Sequence, residues 1–205
     1  MKAIIFDFDG VIHDTFELAY GINVEITGGK ITKEKYRDFF NGNIFERKVD
    51  DAEKEEVSIK KFYELQNEAF KLLKLEENIK KNLKKLSGQY PLFIVSSNQE
   101  AALNTYFQNN NFVNVFKEVL GAETHRSKVE KFKYLFEKYS LKREDCVFVT
   151  DTLGDILEGN KVGLRTIAVD FGFHERERLE KGKPFKIVSS FDEILETIEQ
   201  LKFPL

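Results

Sequence analysis

Short apolar runs recur along the 205-residue chain and alternate with segments of helical periodicity. Five of these runs are rich in Val, Ile and Phe and predict buried β-strands. The predicted strands cover residues 3–6, 92–95, 146–149, 166–169 and 185–188. The first four are apolar at consecutive positions, which is typical of parallel strands covered by helices. The alternation predicts an α/β fold with a doubly wound, mostly parallel sheet.

Apolar residues at helical spacing predict two helices in the second half of the chain. One begins after Ser127 and the other after Ser190, and each serine is suited to the N-cap position. The expected apolar faces consist of Val129, Phe132, Leu135, Phe136 and Tyr139 in the first helix and Phe191, Ile194, Leu195, Ile198 and Leu201 in the second.

A long segment with helical patterning interrupts this alternation. About 80 residues separate the first predicted strand from Leu92, whereas a crossover helix needs only about a dozen. We therefore expect residues 14–82 to form an inserted all-helical subdomain, called the insertion below, while residues 1–13 and 83–205 form the core. The last helix of the insertion is expected to carry Leu72, Leu75, Ile79, Leu83 and Leu86 on one side.

Composition and charge exclude several classes of protein. The formal net charge of −3 lacks the basic character of a nucleic-acid-binding domain. The single cysteine, Cys146, allows no intramolecular disulfide and is expected to be buried in a strand. No apolar run approaches the roughly 18 residues of a membrane span, and the chain begins with a strand pattern instead of a secretion signal. We expect a cytoplasmic protein that binds neither nucleic acid nor membranes.

Acidic and hydroxyl side chains follow three of the predicted strands. They are Asp7 and Asp9 after the first strand, Ser96 and Ser97 after the second, and Asp151 and Asp155 after the third. Open α/β sheets bind ligands beyond the carboxyl ends of their strands, so we expect these side chains to converge. Because clustered carboxylates repel one another, the pattern predicts a hard divalent cation with oxygen ligands, such as Mg²⁺.

Four motifs along the chain resemble, in order, those of the haloacid dehalogenase superfamily. Residues 7–15 resemble the first motif, Ser96 the second, Lys128 the third and residues 151–155 the fourth. The set is similar to that of phosphoglycolate phosphatase-like and beta-phosphoglucomutase-like members, which implies a Rossmann-like core with an inserted helical cap. Thr150 stands where the family often has Gly. Both carboxylates of the fourth motif remain, so we expect activity to be retained.

The resemblance implies a phosphatase that acts on a small phosphorylated metabolite. Asp7 would be the nucleophile that forms an aspartyl-phosphate, and Asp9 would be the general acid and base. Ser96, Ser97 and Lys128 would bind the oxygens of the transferring phosphoryl group. The spacing before the fourth motif favours Lys128 over two nearby lysines.

The same resemblance implies a bound Mg²⁺ ion. Its ligands would be Asp7, the backbone carbonyl of Asp9, and Asp151, with Asp155 bound directly or through water. The ion would orient the phosphate and neutralise charge, as in phosphoryl transfer generally.

In this superfamily an insertion at this position is a small cap that closes over the site and contacts the substrate. Three residues are candidates for substrate selection. Arg47 is suited to a second anionic group on the substrate, and a surface arginine at a helix start is the alternative. His13 follows the first motif, near the hinge of the cap. His174 lies after the fourth predicted strand, in a loop that is near the site in phosphoglycolate phosphatase-like relatives.

Fold and motifs leave more than one function open. A phosphosugar mutase of the beta-phosphoglucomutase type shares the nucleophile, the acid/base and the cap with a phosphatase. Retention of phosphate on a sugar product would distinguish it. A catalytically silent module that binds a phosphorylated ligand is a further alternative, against which the intact set of motif residues argues. Neither the substrate nor the oligomeric state is predicted by the sequence.

Overall fold

The structure of the protein, a computed structural model, describes residues 1–46 and 52–201, with side chains outside residues 52–55. The strands in these ranges are β1 (Ala3–Phe6), β2 (Leu92–Val95), β3 (Phe116–Leu120), β4 (Cys146–Thr150), β5 (Arg165–Val169) and β6 (Lys186–Val188). They form a parallel sheet in the order β3-β2-β1-β4-β5-β6. The strand order reverses beside β1, as in doubly wound folds, and the predicted fold class is confirmed.

The structure confirms the five predicted strands to within a residue or two at each end and adds β3, which the sequence pattern did not predict. β3 lies at the edge of the sheet and, among the described strands, pairs with β2 alone. It contains Lys117 and Glu118, and most of its residues are only partly buried. Charged residues are common on edge strands because they discourage pairing with other chains. The sequence of β3 is therefore not continuously apolar, which is why the apolar pattern did not predict this strand.

Helices connect the strands and cover the sheet. The helices in the described ranges are α1 (Phe16–Thr27), α2 (Lys33–Asp38), α3 (Ala52–Phe70), α4 (Glu77–Ser87), α5 (Glu100–Asn109), α6 (Lys128–Lys138), α7 (Leu153–Lys161), α8 (Arg176–Leu179) and α9 (Phe191–Gln200). The two helices predicted from periodicity are α6 and α9. Ser190 caps α9 by accepting a hydrogen bond from the backbone N–H of Glu193. Ser127 lies at the N-cap of α6 but makes no capping bond.

Alternate side chains of β1 point to opposite faces of the sheet, as strand geometry requires. Ile4 and Phe6 pack with residues of α4, α5 and α9 in one apolar cluster. Ala3 and Ile5 pack with Phe132 of α6 in a second cluster. Helices therefore cover both faces, which explains why the strands are apolar at consecutive positions.

The insertion supplies α1, α2 and α3 between β1 and β2. Gly28 and Gly29 follow the end of α1, and their φ angles of 64° and 79° favour glycine. α1 packs against α3. Phe16 of α1 and Tyr36 of α2 share an apolar cluster with Phe173, which follows β5 in the core. This part of the insertion therefore packs against the core.

The end of the insertion differs from the prediction. α4 begins at Glu77, and Leu72 lies before it with 78% of its surface exposed. Leu83 of α4 packs in the same cluster as Ile4 of the sheet. The expected limit between residues 82 and 83 therefore falls inside a helix that packs on the core.

Cys146 is buried at the start of β4, as predicted. Residues 1–46 and 52–201 contain no helix with the length and apolar character needed to cross a lipid bilayer.

Candidate active site

The carboxyl ends of β1, β2 and β4 meet at one edge of the sheet, beside the reversal of strand order. Asp7 follows β1, Ser96 follows β2, and Asp151 follows Thr150 at the end of β4. β1 lies between the other two strands, so side chains from distant parts of the sequence are brought together. This is the part of an open α/β sheet where ligands bind.

Lys128 is the lysine that contacts the carboxylates at this edge. Its Nζ donates hydrogen bonds of 2.7 Å to Oδ2 of Asp7 and to Oδ2 of Asp155, and only 3% of the residue is exposed. Burial alone would lower the pKa of Lys128, but the two carboxylates outweigh it and raise the pKa above its usual value. Burial likewise opposes ionisation of Asp155, yet Lys128 lowers the pKa of that carboxyl to about 2. The lysine therefore remains charged and stabilises negative charge on its partners.

Thr150 contributes a hydroxyl to the floor of the site. Its Oγ1 donates a hydrogen bond of 2.7 Å to Oδ2 of Asp155 and lies 3.4 Å from Oδ2 of Asp7. The threonine is fully buried at the end of β4. Thr150 therefore helps to orient Asp155. Asp151 and Asp155, the two carboxylates of the fourth motif, both lie at the site.

Three carboxylates form a cluster that could hold a metal ion. One oxygen from each of Asp7, Asp151 and Asp155 lies within 4.8 Å of the others. Oδ2 of Asp151 accepts a hydrogen bond from the backbone N–H of Phe173, whereas its Oδ1 is buried and has no hydrogen-bond partner among the described residues. Burial raises the pKa of Asp7 and of Asp151, and the nearby carboxylate of Asp155 raises both further. An orphaned oxygen in an all-oxygen cluster fits a hard divalent cation.

Two glycines allow the backbone to approach Asp151 closely. A Cβ atom at Gly10 would lie 1.8 Å from Oδ2 of Asp151, and one at Gly172 would lie 2.4 Å from the same oxygen. Gly10 also has a φ of 66°, a conformation that side chains disfavour. Larger residues at these positions would displace the carboxylate.

Asp9 lies next to the cluster and is held by two hydrogen bonds. Oγ1 of Thr15 donates to Oδ1 of Asp9 at 2.5 Å, and Nδ2 of Asn98 donates to Oδ2 at 2.7 Å. Burial raises the pKa of Asp9, although these hydrogen bonds oppose the shift. A raised pKa favours a carboxyl group that exchanges a proton near neutral pH.

The loop after β2 is held partly by the insertion. Ser96 is fully buried, and its Oγ accepts a hydrogen bond of 3.1 Å from the backbone N–H of Asn98. The hydroxyl of Tyr63 donates to the backbone carbonyl of Ser97 at 3.0 Å, and Nε2 of Gln66 donates to Oδ1 of Asn98 at 3.0 Å. α3 therefore supports both the loop and, through Asn98, the carboxyl group of Asp9.

A cavity of about 180 Å³ lies over the cluster. Its lining includes Asp7, Asp9, Lys128, Asp151 and Asp155 from the core. Residues of α1, α2 and α3 and of the 3₁₀ turn Ile44–Glu46 form the opposite wall. A substrate in this cavity would contact the cluster and the insertion together.

A sequence model of haloacid dehalogenase-like hydrolases matches residues 4–169, which is most of the chain. The protein belongs to this family.

Full-length relatives agree with this assignment. The chain is 26% identical to a protein of Caldanaerobacter subterraneus provisionally named as a pyrophosphatase, over 97% of this chain and 95% of the relative. It is 22% identical to a phosphoglycolate phosphatase of Vibrio parahaemolyticus, over 97% and 96%. A solved haloacid dehalogenase-like hydrolase of Streptococcus pneumoniae superposes with a TM-score of 0.79 at 20% identity, over 97% of this chain and 98% of the other. The last similarity shows the shared fold.

The histidines proposed for substrate selection stand apart from the cavity lining of this haloacid dehalogenase-like protein. Nδ1 of His13 lies 3.0 Å from the hydroxyl of Tyr106. His174 is fully buried; its Nδ1 accepts a hydrogen bond from the backbone N–H of Leu153, and its Nε2 lies 2.9 Å from the carbonyl of Arg37. His174 therefore joins the core to α2. Arg47 lies outside the described residues.

The structure also locates the two lysines that compete with Lys128 in the sequence. Lys133 is exposed and pairs with Glu130 on the surface of α6. Lys131 is fully buried, and its Nζ donates a hydrogen bond to the backbone carbonyl of Ser96. Burial lowers the pKa of Lys131 to about 8. Of the three lysines, Lys128 contacts the carboxylate cluster, whereas Lys131 supports the loop after β2.

Glu158 is a site residue that the sequence did not reveal. It is 4% exposed and lines the cavity. Its Oε1 accepts hydrogen bonds from Oγ of Ser127, from the backbone N–H of Lys128 and from Nδ2 of Asn43. The carboxylate therefore joins the start of α6 to the insertion and positions the backbone that carries Lys128.

Replacing Lys128 with Met is expected to destabilise the protein at neutral pH in the presence of a chelator. The change leaves Asp7 and Asp155 buried without their cation, a loss that typically costs about 3–5 kcal/mol of unfolding free energy. Urea denaturation measures the effect. Lys133→Met, on the exposed side of the same helix, is the matched control and should change stability by less than about 0.5 kcal/mol. Equal stability of the two variants would contradict the bridging role of Lys128.

Proposed function

We propose that the protein is a magnesium-dependent phosphatase that hydrolyses a small phosphomonoester through an aspartyl-phosphate on Asp7. The observation that carries the proposal is the pair of hydrogen bonds that the carboxylate of Asp7 accepts at the end of β1. The backbone N–H of Phe8 donates to its Oδ1 at 2.7 Å, and Lys128 donates to its Oδ2. Both contacts favour the ionised carboxylate that nucleophilic attack requires.

In the first step an oxygen of Asp7 attacks phosphorus while the bond from phosphorus to the ester oxygen breaks. Asp9, whose pKa is raised by burial, gives its proton to the leaving oxygen. In the second step water attacks the aspartyl-phosphate and gives a proton to Asp9. Phosphate leaves, and the carboxylate of Asp7 and the carboxyl group of Asp9 are restored.

Lys128 and the loop of Ser96 and Ser97 would bind the phosphoryl oxygens. Lys128 supplies positive charge at the floor of the cavity, and Ser97 lines the cavity directly. Ser96 lies beneath the loop and fixes it through the backbone of Asn98. These contacts would hold the phosphoryl group in line for attack and offset its charge.

Asp7, Asp151 and Asp155 would hold Mg²⁺, together with the backbone carbonyl of Asp9 that the family resemblance implies. Bound there, the ion would supply charge neutralisation for the phosphate. Two observations support this ligand set. Oδ1 of Asp151 has no hydrogen-bond partner among the described residues, and one oxygen from each of the three carboxylates lies within 4.8 Å of the others.

The insertion would act as a cap that closes over the substrate and excludes water. Contacts from both sides of the cavity support this role. The backbone N–H of Gly154 donates to the carbonyl of Phe40, and Nε of Arg37 donates to the carbonyl of Phe173. On the other side, α3 contacts the loop after β2 through Tyr63. Relatives named as phosphoglycolate phosphatases support a small substrate.

The decisive experiment is phosphate release from a panel of phosphomonoesters, with Mg²⁺ and with a chelator. We expect release with Mg²⁺, loss of release in chelator, and recovery when Mg²⁺ is added back. Equal release in chelator would contradict the metal requirement. No release from any ester by folded protein would contradict the phosphatase, and transfer of phosphate within a sugar phosphate would then identify a mutase.

A further inference from the structure

The wall of the cavity opposite the carboxylates is mostly apolar, and its polar members include Asn23, Asn43, Ser58 and Gln66. Large hydrophobic side chains from α1, α2, α3 and the turn before residue 47 contribute most of it. Prominent members are Ile26, Phe39, Phe45, Ile59, Phe62 and Tyr63. Such a wall stabilises a ligand by removing apolar surface from water and offers little to a charged group.

Within residues 1–46 and 56–201, the positive charge of the cavity lining lies at its floor. Among the described side chains, Lys128 is the only cationic group in the lining, and it already contacts Asp7 and Asp155. Arg126 lies with its guanidinium carbon 5.5 Å from the ring centre of Phe45 but is not part of the lining. Glu158, in contrast, adds a carboxylate to the lining.

A substrate with a second anionic group is therefore poorly matched to the described part of this wall. Phosphoglycolate carries a carboxylate attached directly to its ester CH₂ group. Placed against α1 and α3, that carboxylate would lose water without gaining a cation, which is costly. An uncharged group of the same size would gain free energy from the same contact.

The volume of the cavity limits the size of the alcohol. The cavity measures about 180 Å³. An apolar protein cavity of about 150 Å³ accommodates benzene, and the phosphoryl group occupies part of the space here, so the alcohol is expected to be smaller than one ring.

We propose that the substrate is a phosphate monoester of a small, uncharged, apolar alcohol, whose carbon skeleton packs against the wall formed by α1 and α3. This inference rests on the proposed phosphatase function and narrows its substrate class. It sets the protein apart from enzymes that act on phosphoglycolate.

A pair of esters with the same skeleton tests the inference. Isobutyl phosphate has two methyl groups where phosphoglycolate has two carboxylate oxygens. With Mg²⁺ present, we expect kcat/KM for isobutyl phosphate to exceed that for phosphoglycolate by about tenfold or more, the usual effect of a misplaced or missing group in an apolar pocket.

A cation added to the wall should reverse the preference. Ile59→Arg places a guanidinium in the lining, whereas Val57→Arg places one on the same helix at a position that is 70% exposed and outside the lining. We expect Ile59→Arg to raise the ratio of phosphoglycolate to isobutyl phosphate hydrolysis by about tenfold. The matched Val57→Arg variant should leave the ratio unchanged.

Two kinds of failure are distinguishable. If phosphoglycolate is hydrolysed as well as isobutyl phosphate or better, the substrate class is wrong while the phosphatase stands. Loss of that activity in Arg47→Met or Arg126→Met would then show which arginine binds the carboxylate. If no ester in the set is hydrolysed by folded protein with Mg²⁺, the phosphatase proposal itself fails.

Discussion

Replacing Asp7 with Asn is expected to lower the rate of phosphate release by about 10⁴-fold or more, as the loss of a catalytic nucleophile does in other enzymes. The amide has no negative charge and does not form an acyl phosphate under these conditions. The fold should persist, because the amide oxygen can still accept the hydrogen bond from the backbone N–H of Phe8. The loss therefore belongs to chemistry and not to unfolding.

Steady-state phosphate release with Mg²⁺ measures this loss, and circular dichroism verifies the fold. Asp145→Asn is a suitable control, because Asp145 pairs with Lys2 on the surface before β4 and takes no part in the cluster. The control should retain nearly full activity. Comparable rates for Asp7→Asn and Asp145→Asn would remove Asp7 from the role of nucleophile.

The central strands could be predicted from sequence because burial on both faces leaves a plain pattern. β1 and β4 have every residue buried, so each appears as an uninterrupted apolar run. β3 has no such pattern, since only Leu120 of its five residues is buried. An edge strand of this kind depends on its neighbour in the sheet, which local sequence does not specify.

The start of α4 was missed for a different reason. Leu72, Leu75, Ile79, Leu83 and Leu86 keep helical spacing across a segment that is not one helix. α3 ends at Phe70, and α4 begins after Glu76, which makes no side-chain capping bond. Neither a proline nor a capping serine marks the break, so periodicity alone extends the helix too far.

The acidic residues of the site were predictable because their positions follow from strand ends. The residues that support them were not. Asn43 and Glu158 are 115 residues apart, and Gln66 and Asn98 are 32 apart, yet each pair is hydrogen-bonded. Such contacts depend on how the insertion packs on the core. Neither Gln66 in the middle of α3 nor Glu158 in α7 has a local sequence pattern that indicates its hydrogen bond between the insertion and the core.

Replacing Asp9 with Asn is expected to lower kcat by about 10²- to 10⁴-fold, the usual contribution of a general acid and base. The amide neither protonates the leaving oxygen nor accepts a proton from the attacking water. An aryl phosphate, whose leaving group needs little protonation, should still phosphorylate Asp7. Hydrolysis would then be the slow step, and the aspartyl-phosphate should accumulate as a species heavier by one phosphoryl group in intact-protein mass spectrometry.

Asn98→Ala separates the proton-transfer role of Asp9 from the geometry of its hydrogen bonds. Nδ2 of Asn98 donates to Oδ2 of Asp9, and an amide at position 9 that presents its NH₂ group there would lose this bond. The alanine variant loses the same bond but keeps the carboxyl group. We expect a much smaller fall in kcat, about tenfold, and no accumulated phosphoenzyme. If both variants lose activity equally and neither traps phosphate, Asp9 serves to orient the loop after β2 and does not transfer the proton.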